Sequence, residues 1–108
     1  MDLIENVDVV KLGIEGAEFG ALQRLSRRLT SLHPPVIVFE FADWAERRID
    51  GQATGRTQQF LLSLGYRLFQ LERDGRPGEP FERPLTTGGS MILALPPGGR
   101  PRDYAIRL

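Results

Sequence analysis

A chain of 108 residues with 41% hydrophobic and 26% charged residues has the composition of one globular domain with a small core, which excludes a disordered or collagen-like chain. Its 14 basic and 14 acidic residues cancel, so no global field draws it to nucleic acid or to an anionic membrane surface. Cysteine is absent, which removes disulfides, thiolate zinc sites and cysteine nucleophiles together.

No apolar run approaches the ~20 residues of a membrane helix, and Met1-Asp2-Leu3-Ile4-Glu5 lacks the basic-then-apolar pattern of a signal peptide. The expected location is cytoplasmic. Charge is uneven along the chain: Asp2, Glu5, Asp8, Glu15 and Glu18 accompany Lys11 at the start, and Arg100, Arg102 and Arg107 gather in the tail. Both stretches read as solvated surface.

Val7, Val9, Val10, Leu12 and Ile14 form a β-rich run close to the pattern of a strand covered on both faces. It passes through Lys11-Leu12-Gly13-Ile14-Glu15-Gly16-Ala17-Glu18, where a glycine turn opens into a helix bearing two carboxylates. A strand-to-helix turn of this kind is where open α/β sheets hold ligands, because the carboxyl ends of parallel strands border a crevice. From Ala17 the period changes. Leu22, Leu25, Leu29 and Leu32 recur at three- and four-residue steps and predict an amphipathic helix over Ala17–Leu32, ended by His33-Pro34-Pro35. Val36-Ile37-Val38-Phe39-Glu40-Phe41 is the next strand, and strand, helix, strand in this order predicts a right-handed βαβ unit.

Asp43 to Arg48 suggests one helical turn, and Thr54 is a plausible N-cap for a short helix through Leu64, with Gly65 at its terminus. Tyr66–Glu72 alternates as a third strand, turned by Asp74-Gly75. The stretch from Arg76 to Gly89 holds three prolines and no sustained period, and reads as loop. Ser90–Leu95 is a fourth strand, stopped by Pro96-Pro97-Gly98-Gly99. Residues 1–95 form the α/β unit and 96–108 a Pro/Gly/Arg-rich tail.

The site residues predicted at the mouth of the sheet are Glu15, Glu18 and Glu40. Glu15 and Glu18 lie three apart at a helix start, where negative charge is favoured by the helix dipole, and a carboxylate ending an apolar strand at Glu40 fits a ligand-facing crevice. Three converging acids could bind a divalent cation. Spacing does not bring them together, so no metal site is assigned. Lys11 reads as a strand-end or ion-pair residue, His33 as a helix-end residue and Trp44 as a cover for the sheet edge. Arg24, Arg27 and Arg28 form a solvated helix face without the interleaved aromatics of a nucleic-acid surface. Gly88-Gly89 and Gly98-Gly99 do not open helices and read as loop glycines.

The eight-residue motif resembles the FkbM family of S-adenosylmethionine-dependent methyltransferases, whose element typically reads Lys-Ile-Asp-Val-Glu-Gly-Ala-Glu. Lys11, Glu15, Gly16, Ala17 and Glu18 match it, Leu12 is a conservative departure, and Gly13 replaces the family's Asp. Pro35–Phe41 resembles the next strand of the family, and Gly65-Tyr66-Arg67-Leu68 its later hairpin. The resemblance runs from about Val7 to Leu95 and implies the C-terminal half of a methyltransferase domain: a partial Rossmann-like class I sheet in the spatial order first, second, fourth, third. It implies S-adenosylmethionine as methyl donor and a hydroxyl acceptor. It also implies that the glycine-rich half gripping the cofactor is missing here, so the segment is incomplete alone. The alternative is a non-catalytic interaction or dimerisation module derived from a methyltransferase.

Gly13 removes the Asp that in the family lies beside the transferring methyl group. Restoring it would place a charge at a covered strand end, at a cost in stability. Without the preceding half, the Val7–Ile14 strand becomes an apolar edge with few guards. The expected partner is a second copy, making one sheet of eight strands through this edge, or a separate cofactor-binding half. Neither nucleic acid nor membrane is expected as a partner.

Overall fold

The structure, a computed structural model, describes residues 9–13, 18–49 and 53–99. The elements in chain order are β1 (Val9–Leu12), α1 (Glu18–Arg24), α2 (Ser26–Leu29), β2 (Val36–Ala42), α3 (Asp43–Glu46), α4 (Arg56–Ser63), β3 (Arg67–Leu71), β4 (Pro77–Phe81) and β5 (Gly89–Leu95). The strands form one sheet in the order β1-β2-β5-β3-β4. This is an α/β fold with a partial Rossmann-like sheet. β1 and β2 are parallel, Val9 opposite Val36 and Leu12 opposite Phe39, while β5 runs antiparallel to both β2 and β3.

β2 and β5 take the middle of the sheet because their side chains are apolar on both faces. On one face Ile37, Phe39, Phe41, Leu68, Ile92 and Ala94 pack with Leu22 and Leu29 of α1 and α2 and with Leu61 of α4. Val36, Val38, Phe69, Leu93 and Leu95 form a second buried cluster on the other face. β1 is a half-buried edge rather than a strand covered on both faces: Val10 and Leu12 join the helix-side cluster, Val9 joins the other, and Lys11 is exposed. Val7, Asp8 and Ile14 lie outside the described residues.

The predicted spatial order of the four strands is the observed one, with one strand added. The stretch expected as loop from Arg76 contains β4, which pairs antiparallel with β3. Pro77 and Pro80 disguise it in the sequence, but proline lacks only an N–H and is tolerated on an outer edge, which is where β4 lies. The turn is set by Gly75 at φ 85° and by Asp74, whose carboxylate accepts the Arg76 backbone N–H at 3.0 Å and its Nε–H at 2.6 Å. Two copies joined edge to edge would therefore make ten strands rather than eight.

The single helix expected over Ala17–Leu32 is two pieces. Leu25 leaves helical geometry at φ −98° and ψ 10°, α2 ends at Leu29, and Leu32 is 89% exposed. Local hydroxyls compete with the helical ladder at this end: Thr30 Oγ1 donates to Ser26 O at 3.1 Å and Ser31 Oγ to Arg28 O at 2.8 Å. Gly20 adds a further weak position within α1. His33, expected at a helix end, stands four residues past α2.

At the far end of α4, Gly65 takes φ 88° as a helix terminus requires. The next residue, Tyr66, is buried and donates its hydroxyl to Pro35 O at 2.7 Å, tying the start of β3 to the start of β2. Tyr66→Phe leaves that carbonyl without its buried donor and is expected to cost about 1–3 kcal/mol, read as a lower urea midpoint at unchanged slope. Between β4 and β5 the chain is held by Gln58 of α4. Its Nε2 donates to Leu85 O at 2.9 Å and its Oε1 accepts the Leu85 N–H at 2.7 Å, so the side-chain amide stands in for a strand neighbour.

Candidate functional site

The carboxyl ends of β1 and β2 form the mouth predicted from sequence. Continuing their register past Leu12–Phe39 sets Gly13 beside Glu40. Strand alternation puts both positions on the face of Val36 and Val38, and Glu40 is exposed. Gly13 is exposed as well, and a Cβ built there meets nothing within 4 Å. The expected penalty for a carboxylate at position 13 is thus removed, since the strand end is open rather than covered.

Glu18 is elsewhere. It is 0% exposed at the start of α1, one helical turn before Leu22, and so lies on the helix-covered side of the sheet, opposite to Glu40. Glu15, the third predicted acid, lies outside the described residues. Glu18 and Glu40 do not converge. Among the described residues no group of three or more His, Asp or Glu side chains is arranged to hold a metal ion.

The neighbour of Glu18 is Glu46 of α3, which is 1% exposed. The Glu46 Oε1 accepts the backbone N–H of Gly55 at 2.7 Å, and Gly55, at φ 89°, is the N-cap of α4. Thr54, expected as that cap, is not the capping residue: the left-handed turn falls on the glycine, and the first N–H is met by a side chain from α3. Burial pushes the Glu46 carboxyl up from the ordinary glutamate range, the Gly55 N–H works against that, and the negative charge of Glu18 raises it further. Glu46 Oε2 and Thr57 Oγ1 are buried without a hydrogen-bond partner among the described residues. α1 and α4 meet just outside this cluster, where Phe19 and Phe60 pack edge to face at 5.5 Å and the Arg56 guanidinium lies 4.3 Å over the Phe19 ring. No motif marks Glu46 in the sequence, because its partner lies nine residues away across a turn.

α3 is pinned at its other end. The Asp43 N–H donates to Gly88 O at 2.9 Å, and the Gly88 N–H donates to Asp43 Oδ2 at 2.9 Å. That second bond, with Arg47 at 3.5 Å, holds the Asp43 carboxyl below its ordinary range. Trp44 does not cover the sheet edge as expected, since it is 52% exposed. A cavity of about 510 Å³ lies at the opposite end of the sheet, between the end of α4 and the β3–β4 hairpin, lined by Leu62, Tyr66, Leu68, Pro80, Phe81 and Glu82. It has no part in the mouth.

Residues 2–68 match the family model for the methyltransferase FkbM domain. The chain belongs to the FkbM methyltransferase family. No curated protein and no solved structure matches it. The matched residues take in every described element from β1 to α4 and the first two residues of β3, and stop at Leu68, short of the Leu95 limit that the motif resemblance suggested. None of the helices described is long and apolar enough to cross a membrane.

Proposed function

We propose that this FkbM chain supplies the acceptor side of an S-adenosylmethionine-dependent O-methyltransferase and corresponds to the family's C-terminal half. A segment outside these 108 residues would supply the glycine-rich grip on the donor. The observation that carries this reading is the family match across a parallel strand pair with the acid Glu40 and the open Gly13 side by side at its carboxyl end. Donor chemistry belongs to S-adenosylmethionine. The chain's own residues would orient the acceptor hydroxyl, with Glu40 the acid on the open face. Glu18 serves the helix layer behind the mouth.

Titration calorimetry tests the division of labour. The 108-residue chain alone is expected to show no saturable binding of S-adenosylmethionine at concentrations up to about 1 mM; a dissociation constant in the range of about 1–10 µM would overturn it. In a chain completed with a cofactor-binding half, Gly13→Asp is expected to raise methyl transfer. A completed chain that is fully active with glycine would show that Glu40 and the turn suffice.

The joining surface in this reading is the outer edge of β1. Among the described residues β1 pairs only with β2, and of its residues Lys11 alone is charged. The opposite edge, β4, is guarded by Pro77, Pro80 and the exposed Glu79. A cofactor-binding half would add a strand at β1; in its absence a second copy is the occupant, paired antiparallel across a two-fold axis.

A further inference from the structure

Trp44 is half exposed although the turn that carries it is fixed on every side. Asp43 before it exchanges two hydrogen bonds with Gly88, Ala45 after it is buried, and Glu46 holds the Gly55 N–H. A tryptophan buries on the order of 150–250 Å² of largely apolar surface when it packs, so a rigid element that keeps one in water forgoes that gain. Its surroundings are specific. The Arg48 guanidinium lies 5.8 Å from the indole centroid, and Ile49, next in the chain, is 37% exposed. Arg47 is engaged by Asp43 at 3.5 Å, whereas Arg48 has no ion pair among the described residues. All of this follows directly on the carboxyl end of β2.

We propose that Trp44 and Arg48 form a preorganised recognition platform for a small ring-bearing anion, a molecule with a flat face to lie on the indole and a phosphate or carboxylate for the guanidinium. A small molecule fits better than a protein surface, because a stable protein interface needs on the order of 1,000 Å² and, among the described residues of this segment, the exposed large apolar side chains are Trp44 and Ile49 alone. The turn enters the complex already ordered, so little conformational entropy is lost on binding. The platform does not depend on methyl transfer, and its test is separate from that of the proposed activity.

Trp44 is the only tryptophan, so the intrinsic emission of the 108-residue chain reports this position alone. Three probes divide the platform into its parts: phenyl phosphate carries ring and anion, phenol the ring, inorganic phosphate the anion. With excitation at the red edge of the indole band, phenyl phosphate is expected to quench emission saturably at about millimolar concentration, with phenol and phosphate each roughly tenfold weaker. Arg48→Ala is expected to reduce phenyl phosphate to the level of phenol. Arg48 is exposed, and its one backbone bond, from N–H to Ala45 O, is kept by alanine, so circular dichroism of that variant should be unchanged. A linear, unsaturated response to phenyl phosphate overturns the proposal. So does an equal response to inorganic phosphate, or an unaltered titration in a folded Arg48→Ala chain.

Discussion

Of two adjacent proline variants in β1, Val10→Pro and Lys11→Pro, one is expected to give a folded monomer and the other a chain that loses its first strand. In a parallel ladder successive residues aim their N–H and C=O groups alternately to one neighbour and the other. One of these two positions therefore donates toward β2 and the other toward the open edge. Proline at the outward position removes a donor that only a partner would use. At the inward position it breaks the β1–β2 pairing and loosens Val10 and Leu12 from the helix-side cluster. Light scattering on the order of tens of micromolar, a range in which weak edge pairing is visible, separates the cases. A wild-type chain that is monomeric there, or two proline variants that both dimerise like wild type, would refute assembly through this edge.

The second large effect is at Glu46. Burial raises its carboxyl above the ordinary glutamate range in the folded chain, so between the unfolded and folded values the folded state binds more proton than the unfolded state. The stabilisation from this group is complete below the unfolded value and is lost as pH rises through the folded one. Glu46→Gln keeps the Oε1 acceptor for the Gly55 N–H and replaces the charge facing Glu18 with a neutral donor. The variant is expected to exceed wild type by on the order of 1–3 kcal/mol near neutral pH and to approach it in acid. Asp43 and Asp74 have lowered carboxyl values and act in the opposite sense, losing their contribution as pH falls. Both are common to the two chains, so the difference between the chemical-denaturation curves isolates Glu46. A difference that is flat with pH, or a variant less stable throughout, would mean that the pair stays ionised and is neutralised by another group.

Periodicity located β1, β2, β3 and β5 because each is a short apolar run with clear punctuation, and the continuous run of β2 marked it as central before any pairing was visible. It failed where a backbone preference was decided by position in the fold. Pro77 and Pro80 spoil a strand pattern anywhere except on an outer edge, and nothing local announces that β4 is one. Leu32 completes the leucine spacing of a helix that hydroxyls at Thr30 and Ser31 have already unwound. The candidate site was legible as a motif and not as an arrangement. Spacing could not tell that Glu18 and Glu40 fall on opposite sides of the sheet, or that the buried neighbour of Glu18 would be Glu46, 28 residues downstream of it.

The sheet order also dictates when this molecule can exist. β5, the last in chain order of the described strands, is the one that sits between β2 and β3. Until Gly89–Leu95 emerges, the βαβ unit and the β3–β4 hairpin are two halves with no seam, each presenting an edge that β5 will later close. Closing that seam pairs Ile37 with Ala94 and Arg67 with Leu95, across wide stretches of chain, and such long-range pairing is intrinsically slow. Nascent chains stalled before residue 89 should therefore hold these two pieces separately, with no continuous sheet between them, and would be the species most in need of a holding chaperone.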